Sequence, residues 1–467
     1  MKGDLGPHET GVWVSFSPKR PLQSQTAACH LAYPRHIMGF SMKRLYRHAQ
    51  IASEDSPKLM HGDVLVEGDR ILGVAAEITG VTDAEVIDCT GRILLPSLFD
   101  IHVHAREPGQ EEKENIATCA EAAINGGVTG FVMMPNTQPA IDNAGVVRTV
   151  LESARRTRIG ATLYTTGAIT RGRKGEELAG IAGMKAAGCV MLTDDGFPVD
   201  NPQVLRRAME YARDFDLPLA SHCEVKELSA KGCMHEGKMS YALGLPGIPS
   251  ISEEICISRD IRLAEYTGVH LNIQHVTTAE GMRTIKRAKD RGIRVTCEIA
   301  PHHLMFSHED IGDFDTHYKM NPPLRTKEDN ALLLQGLIDG WFDVIATDHA
   351  PHTPFEKNQD FASAPFGITG LETALPSLYD CFVSKGVFGW DLIVKRYSAE
   401  PRRVVKMDTV PIKEGGIADF ILFNPNRSTT FTREFMKSKS VNTPFFNKTL
   451  QGMVERVMYR GEELLVR

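Results

Sequence analysis

The chain has 467 residues, of which 42% are hydrophobic and 24% charged, with a formal net charge of −6; this is the balance of an ordinary soluble globular protein, long enough for one large domain and a smaller one. The acidic balance argues against nucleic-acid and anionic-membrane partners, and no run approaches the roughly 18 apolar residues needed to cross a bilayer. The nine cysteines are scattered and form no CxxC pair, which argues against a disulfide framework and a thiolate zinc knuckle and fits buried thiols in a reducing cytoplasm.

Residues 1–41 mix Gly, Pro, Ser and Gln without a sustained period, and they lack the charged start, apolar core and cleavage site of a secretory signal. They read as a disordered extension, with Met42 the more natural first residue. Short strands follow. The stretch 63–74, DVLVEGDRILGV, is apolar on alternate positions and broken by the turn pair Gly68–Asp69. Residues 84–96, 415–425 and 453–466 repeat the pattern. The two β-rich ends, 42–95 and 411–467, are therefore expected to pair into one small β-sandwich.

The middle, 96–410, alternates strand and helix. Candidate strands are 98–102, 128–134, 160–166, 189–193, 217–222, 269–275, 293–299 and 343–348. A helix is expected over 111–126, with Ile116, Cys119, Ala120, Ala123 and Ile124 on one face, an acidic first turn and Gly126 at its end. Eight βα units predict an α/β fold of the TIM-like (β/α)8 barrel type. A doubly wound sheet satisfies the same counts. No self-similar repeat is present, which excludes a solenoid.

His102 and His104 stand two apart on the first barrel strand, so both imidazoles project to one face. An HxH pair alone is of moderate specificity. Other candidate ligands fall at the ends of other strands: Asp195 after the fourth, His222 after the fifth, His275 after the sixth and Asp348 after the eighth. In a barrel these ends converge on one mouth. Four imidazoles and two carboxylates there suit two divalent ions with nitrogen and oxygen ligands. Asp348 is placed to accept a proton from an attacking water and return it to a leaving nitrogen. Arg106, Asn136, Asn321 and His352 offer a second group suited to a carboxylate, although Asn136, in Pro-Asn-Thr, is equally a turn residue. Residues 352–367 lack either period, follow the eighth strand, and read as a loop covering the mouth.

At this point the sequence resembles a family. The block FDIHVHAREPGQEEKENIATCAEAAINGGVTGFVMMPNTQPAIDN is similar to the start of a dihydroorotase barrel, and SHCE, APHHLMFS, YKMNPPLR, ATDHAPHTPFEK and APFGITGLETALP are similar to later blocks. The resemblance runs from about residue 43 to 467 and is to the bacterial-style monofunctional branch of the amidohydrolase superfamily. It implies the metal ligands His102, His104, Asp195, His222, His275 and Asp348. It implies substrate contacts from His104, Arg106, Asn136, Asn321, His352, Phe366 and Gly367, with Asp348 as the acid–base. Many relatives bridge their metals with a carboxylated lysine; Asp194–Asp195 stands there in this chain. The resemblance therefore implies two Zn2+ per chain bridged by Asp195 and a hydroxide, with Asp194 the competing choice. Ser97 replaces a frequent glycine and Ala105 a frequent larger apolar residue, and neither change removes a functional group.

The implied reaction is the reversible closure of N-carbamoyl-L-aspartate to dihydroorotate in pyrimidine synthesis. The resemblance also leaves open a homo-oligomer, association with aspartate transcarbamoylase, and a non-catalytic homologue serving as that enzyme's partner. Retention of all the implied ligands argues against the last. A hydantoinase or allantoinase shares the barrel and the HxH pair; Arg106 and Asn136 favour a ring that carries a carboxylate. A mononuclear deaminase of the same superfamily would need only one metal.

Overall fold

The computed structural model describes residues 42–157 and 160–467; the extension expected over 1–41 lies outside the described residues. The first strands are β1 (Lys43–Ser53), β2 (Ser56–Glu67), β3 (Arg70–Ala75), β4 (Ala84–Asp88) and β5 (Ile93–Pro96). The barrel strands and two short strands among them follow: β6 (Leu98–Val103), β7 (Val128–Met133), β8 (Thr162–Gly167), β9 (Met191–Leu192), β10 (Leu219–Ser221), β11 (Met234–His235), β12 (Gly247–Ile248), β13 (Leu271–Ile273), β14 (Val295–Ile299) and β15 (Val344–Ile345). The chain ends with β16 (Asp419–Thr430), β17 (Thr449–Tyr459) and β18 (Glu462–Val466).

The two chain ends meet in one eight-stranded sheet, ordered β18-β17-β16-β5-β1-β2-β3 with β4 beside β1. The junction is the antiparallel pair β16–β5, with Ile421 opposite Leu95. Alternation turns one face of each strand inward. Tyr46, Val64, Val66, Ile71, Leu94, Phe420 and Leu422 form a buried cluster drawn from both ends, with the Tyr46 and Phe420 rings edge to face at 5.1 Å.

The middle strands form a second sheet in the order β15-β14-β13-β10-β9-β8-β7-β6. Their pairings are parallel. A parallel bridge from Val103 to His349 joins its two ends, and the His104 N–H donates to the His349 carbonyl at 2.9 Å. The sheet is thus a closed barrel. Every residue of β6 and β7 is buried, as expected for strands covered on both faces. Phe99, Ile101, Val132, Met191 and Val344 cluster together. Helices such as Ala144–Thr157, Pro202–Asp214 and Ala279–Asp290 bury Val150, Leu205 and Ile285 in the large cluster shared with the strands. No helix of the described residues is long and apolar enough to cross a membrane.

The helix expected over 111–126 is shorter. It is α1 (Ile116–Asn125), begun by the Asn115 side chain, which accepts from the Thr118 N–H at 2.9 Å. The acidic residues Glu111, Glu112 and Glu114 precede it, because the side-chain cap at Asn115 fixes the start. Gly126 ends it as expected: a Cβ there would lie 2.0 Å from the Leu371 carbonyl oxygen, so only glycine permits that approach.

Candidate active site

The strand ends bring the predicted ligands together at one mouth of the barrel. His104, Asp195, His222, His275 and Asp348 line a cavity of about 310 Å³, together with Arg106, Asn136, Asn321, His352, Phe366 and Gly367. His102 lies beneath it, fully buried. Its Nε2 is 3.3 Å from Asp195 Oδ1 and 3.4 Å from Asp348 Oδ1. His104 Nε2 is 3.0 Å from Asp348 Oδ1 and 3.6 Å from Asp195 Oδ2. His222 Nδ1 and His275 Nε2 stand 3.0 Å apart. Two ligating groups converge, His102–His104–Asp348 and His102–Asp195–His275, with the atoms of each within 4.8 Å of one another.

The electrostatics follow from this packing. Burial works against the charge on His102, but Asp348 and Asp195 overcome it and hold the imidazole well above its usual range. Burial likewise opposes ionisation of Asp195 and Asp348, yet the adjacent histidines, His102 foremost, keep both below the usual carboxylate range. His275 goes the other way: burial, then His222 and His102, push it well down. His102 Nε2 and His275 Nδ1 are buried without a hydrogen-bond partner. Such orphaned nitrogens are costly in a protein interior. His102 Nε2 faces the ionised Asp195 and Asp348, an arrangement that fits a divalent cation with nitrogen and oxygen ligands.

The two adjacent aspartates diverge. Asp195 faces the histidines. Asp194 turns away and accepts from the Ile169 and Thr170 N–H groups at 2.8 and 3.1 Å; burial raises it to about 6. Asn136 reaches the same centre as Asp195, with Oδ1 2.8 Å from His104 Nδ1 and Nδ2 3.5 Å from Asp195 Oδ2.

A basic wall lies beside the ligands. Arg106 is buried, its Nε donates to the Pro351 carbonyl at 3.1 Å, and burial lowers it to about 10, still charged at neutral pH. His352 Nε2 is 2.8 Å from the Phe366 carbonyl and 3.3 Å from Arg106 Nη2. The shorter contact puts the proton on Nε2, donating to Phe366. Arg106 Nη2 then meets another donor rather than an acceptor, and an anion in the cavity would relieve it. Burial and then Arg106 push His352 down to about 2, so it is neutral.

Gly367 lines the cavity, and its N–H donates to the Lys319 carbonyl at 2.9 Å. The loop 352–367 contains one helical turn, Pro354–Lys357, capped by Thr353 and Glu356. Pattern reading also missed the groups behind the ligands. Glu298 Oε2 is 3.0 Å from His102 Nδ1, and Asp100 accepts from the His102 N–H at 3.0 Å. At the mouth, Glu224 Oε2 accepts from Lys226 Nζ at 2.6 Å and from Asn321 Nδ2 at 3.3 Å.

Sequence relatives identify the family. The chain is 40% identical over 422 residues to a dihydroorotase of Anoxybacillus flavithermus, an overlap covering 90% of this chain and 98% of that protein. It is 44% identical over 390 residues to a dihydroorotase of Syntrophotalea carbinolica, covering 84% and 91%. The chain belongs to the dihydroorotase family. A family model described as dihydro-orotase-like matches residues 91–281, the part that carries His102, His104, Asp195, His222 and His275. Among solved structures the fold is similar to an L-hydantoinase (dihydropyrimidinase) from Arthrobacter aurescens, with a TM-score of 0.80 at 23% identity over 92% of this chain and 96% of that one. A dihydropyrimidinase from Brevibacillus agri NCHU1002 gives 0.76 at 23% identity, over 91% and 95%. These likenesses establish the barrel with its accompanying sheet. Like its dihydroorotase relatives, the chain is a metal-dependent hydrolase acting on carbon–nitrogen bonds of cyclic amides.

Proposed function

We propose that this protein interconverts N-carbamoyl-L-aspartate and dihydroorotate, and that it does so with two zinc ions held by His102, His104, Asp195, His222, His275 and Asp348. In this reading 96–410 is the catalytic barrel, and 42–95 with 411–467 is a separate composite domain. The observation that carries the proposal is the orphaned, buried His102 Nε2 set against ionised Asp195 and Asp348, with Arg106 lining the same cavity as both carboxylates. Bound zinc supplies Lewis acidity and lowers the pKa of a water toward neutrality.

The chain's own residues do the rest. In the hydrolytic direction Asp348, held ionised by its histidines, takes the proton of the attacking water and delivers it to the ring nitrogen that leaves. Arg106 and Asn136 bind the substrate carboxylate, and His352 orients beside them through Phe366. Asn321 closes the opposite side of the cavity next to His222. Two adjacent groups thus meet the scissile amide and the carboxylate of one small ring, and a cyclic amide without a carboxylate would leave the second group unused.

The test is zinc stoichiometry measured together with hydrolysis of dihydroorotate, hydantoin and allantoin. Two zinc ions per chain and strong preference for dihydroorotate are expected. Rapid turnover of hydantoin with none of dihydroorotate would overturn the assignment, and full activity with one zinc would overturn the two-metal reading.

A further inference from the structure

Lys357 is an unusual lysine. It is 4% exposed, and lysines are almost never that buried without a charge partner. Its Nζ donates to three carbonyls, those of Lys319 at 3.2 Å, Pro365 at 3.0 Å and Gly367 at 3.0 Å. An ammonium has three donors, so all are used. A second buried lysine, Lys319, donates to the carbonyls of Phe361 and Ala362 at 2.7 and 2.9 Å, and its ammonium lies 4.7 Å from the centre of the Phe366 ring. Together they gather the loop 352–367 around two cations.

What they gather is one wall of the mouth. Pro365 and Gly367 flank Phe366, whose carbonyl receives the His352 Nε2 proton. His352 in turn sits against Arg106. We infer that Lys357 is a positioning residue for substrate binding: its ammonium fixes the Pro365–Gly367 edge so that His352 and Arg106 are presented to the substrate's carboxylate. This rests on the functional reading above, and it concerns a residue that touches neither a ligand nor the cavity.

The three carbonyls are not equally dependent on it. The Lys319 carbonyl also accepts from the Gly367 N–H, and the Gly367 carbonyl also accepts from Asn442 Nδ2 at 3.1 Å. The Pro365 carbonyl has no such second donor among the described hydrogen bonds. Loss of the ammonium therefore loosens the chain at Pro365–Phe366, next to His352, while the rest of the loop stays tied. Burial, then Lys319, lower Lys357 to about 7, while Asp315, which caps the turn Thr316–Tyr318, and Glu356 on its own turn oppose that shift; His352, which Lys357 depresses, is already neutral. A neutral amine keeps two donors for three carbonyls, so the edge should loosen as pH rises above neutrality.

The experiment is steady-state hydrolysis of dihydroorotate by wild-type and Lys357→Met enzyme, with zinc content and thermal melting measured on both. Expected in the variant is a rise in KM of about tenfold with kcat nearly unchanged and zinc retained. In the wild type KM should rise between about pH 7 and 9, and that rise should vanish in the variant. An unchanged KM, or zinc and kcat lost along with it, overturns the positioning role. If Lys357→Met does not fold, the wild-type profile decides, and a KM flat across that range overturns it. Wild-type enzyme inactive on dihydroorotate removes the functional reading and this inference together; activity with an unmoved KM removes the inference alone.

Discussion

Replacing Glu298 with glutamine tests the metal centre without touching a ligand. The Glu298 side chain is fully buried, with Oε2 3.0 Å from His102 Nδ1 and Oε1 accepting from Asn272 Nδ2 at 2.6 Å. Both of its oxygens therefore face donors, because a His102 that gives Nε2 to a metal carries its proton on Nδ1. Glutamine keeps the shape but offers one oxygen and one NH2. It can accept from Asn272 or from His102, and the other contact becomes donor against donor. Gln274 Nε2, 3.3 Å from the same His102 nitrogen, is a further donor and gives no relief. An unsatisfied buried donor costs about 1–3 kcal/mol, which corresponds to roughly tenfold to hundredfold in metal affinity, the range found when partners behind a metal ligand are removed. The assay is zinc binding in competition with a chelator of known affinity, alongside thermal melting of the zinc-free protein. Glu298→Gln binding zinc as tightly as wild type would refute the claim that Glu298 orients His102.

Three further outcomes are expected. Asp348→Asn should lower kcat by about 10²- to 10⁴-fold, the usual worth of a general acid–base, while bound dihydroorotate is still detected by calorimetry; turnover within tenfold of wild type would remove that role. Arg106→Ala should raise KM about a hundredfold, from about 3 kcal/mol for truncating a buried charged donor, and Arg106→Lys should recover only part because the paired donors are lost; an unmoved KM counts against carboxylate binding. Glu372, raised to about 7 by burial despite N–H donors from Lys437 and Ser438, should make stability pH-dependent. Between its ordinary value and about 7 the native state holds a proton that the unfolded chain has lost, so this group's contribution is lost as pH rises. Glu372→Gln, neutral throughout, should gain on wild type by up to about 3 kcal/mol between about pH 5 and 8 in denaturant melts, and a constant difference would show that Glu372 is not the group responsible.

The barrel was legible because parallel strands covered on both faces announce themselves as short apolar runs, and the first candidate ligands because His102 and His104 are spaced for one face of a strand. The choice between Asp194 and Asp195 was not legible, since it depends on how the chain leaves β9 rather than on residue type. Glu298 and Asp100 were missed because neither stands at a strand end. They did leave a signal: each is the lone carboxylate of a mostly apolar strand, in VTCEI and LFDIHV, and a buried charge there needs a partner inside the barrel. The turn Pro354–Lys357 was too short to show a period, although Thr353 and Glu356 form a capping pair visible in the sequence. The joining of β16 to β5 lies beyond local pattern altogether, because alternation marks an exposed and a buried face but does not name a neighbour.

Backbone conformation carries the remaining information about the site. Arg106, His275 and Asp348 all have positive φ, at 62°, 28° and 48°. Such conformations in residues other than glycine cost on the order of 1–3 kcal/mol each and persist only where the surroundings over-determine them. The surroundings here are explicit. His275 is flanked by Gln274 and Val276, whose N–H groups donate to the Ser221 and Glu298 carbonyls at 3.0 Å. Beyond it the Thr277 N–H is taken by Glu253 at 2.9 Å. Asp348 is held between the Thr347 N–H, bonded to Asp100 at 3.1 Å, and the His349 N–H, bonded to Thr347 Oγ1 at 3.2 Å. The Arg106 carbonyl accepts from the Gln110 N–H at 3.1 Å while its Nε holds Pro351. Each strained residue thus sits where a strand has just ended and a buried hydrogen bond fixes the next peptide. An extended residue would send its side chain along the strand's alternation; a left-handed one redirects it. The three proposed roles of ligand, proton carrier and carboxylate clamp all fall on residues the fold holds against their own preference, which is where a barrel must spend stability to converge side chains from separate strands on one site.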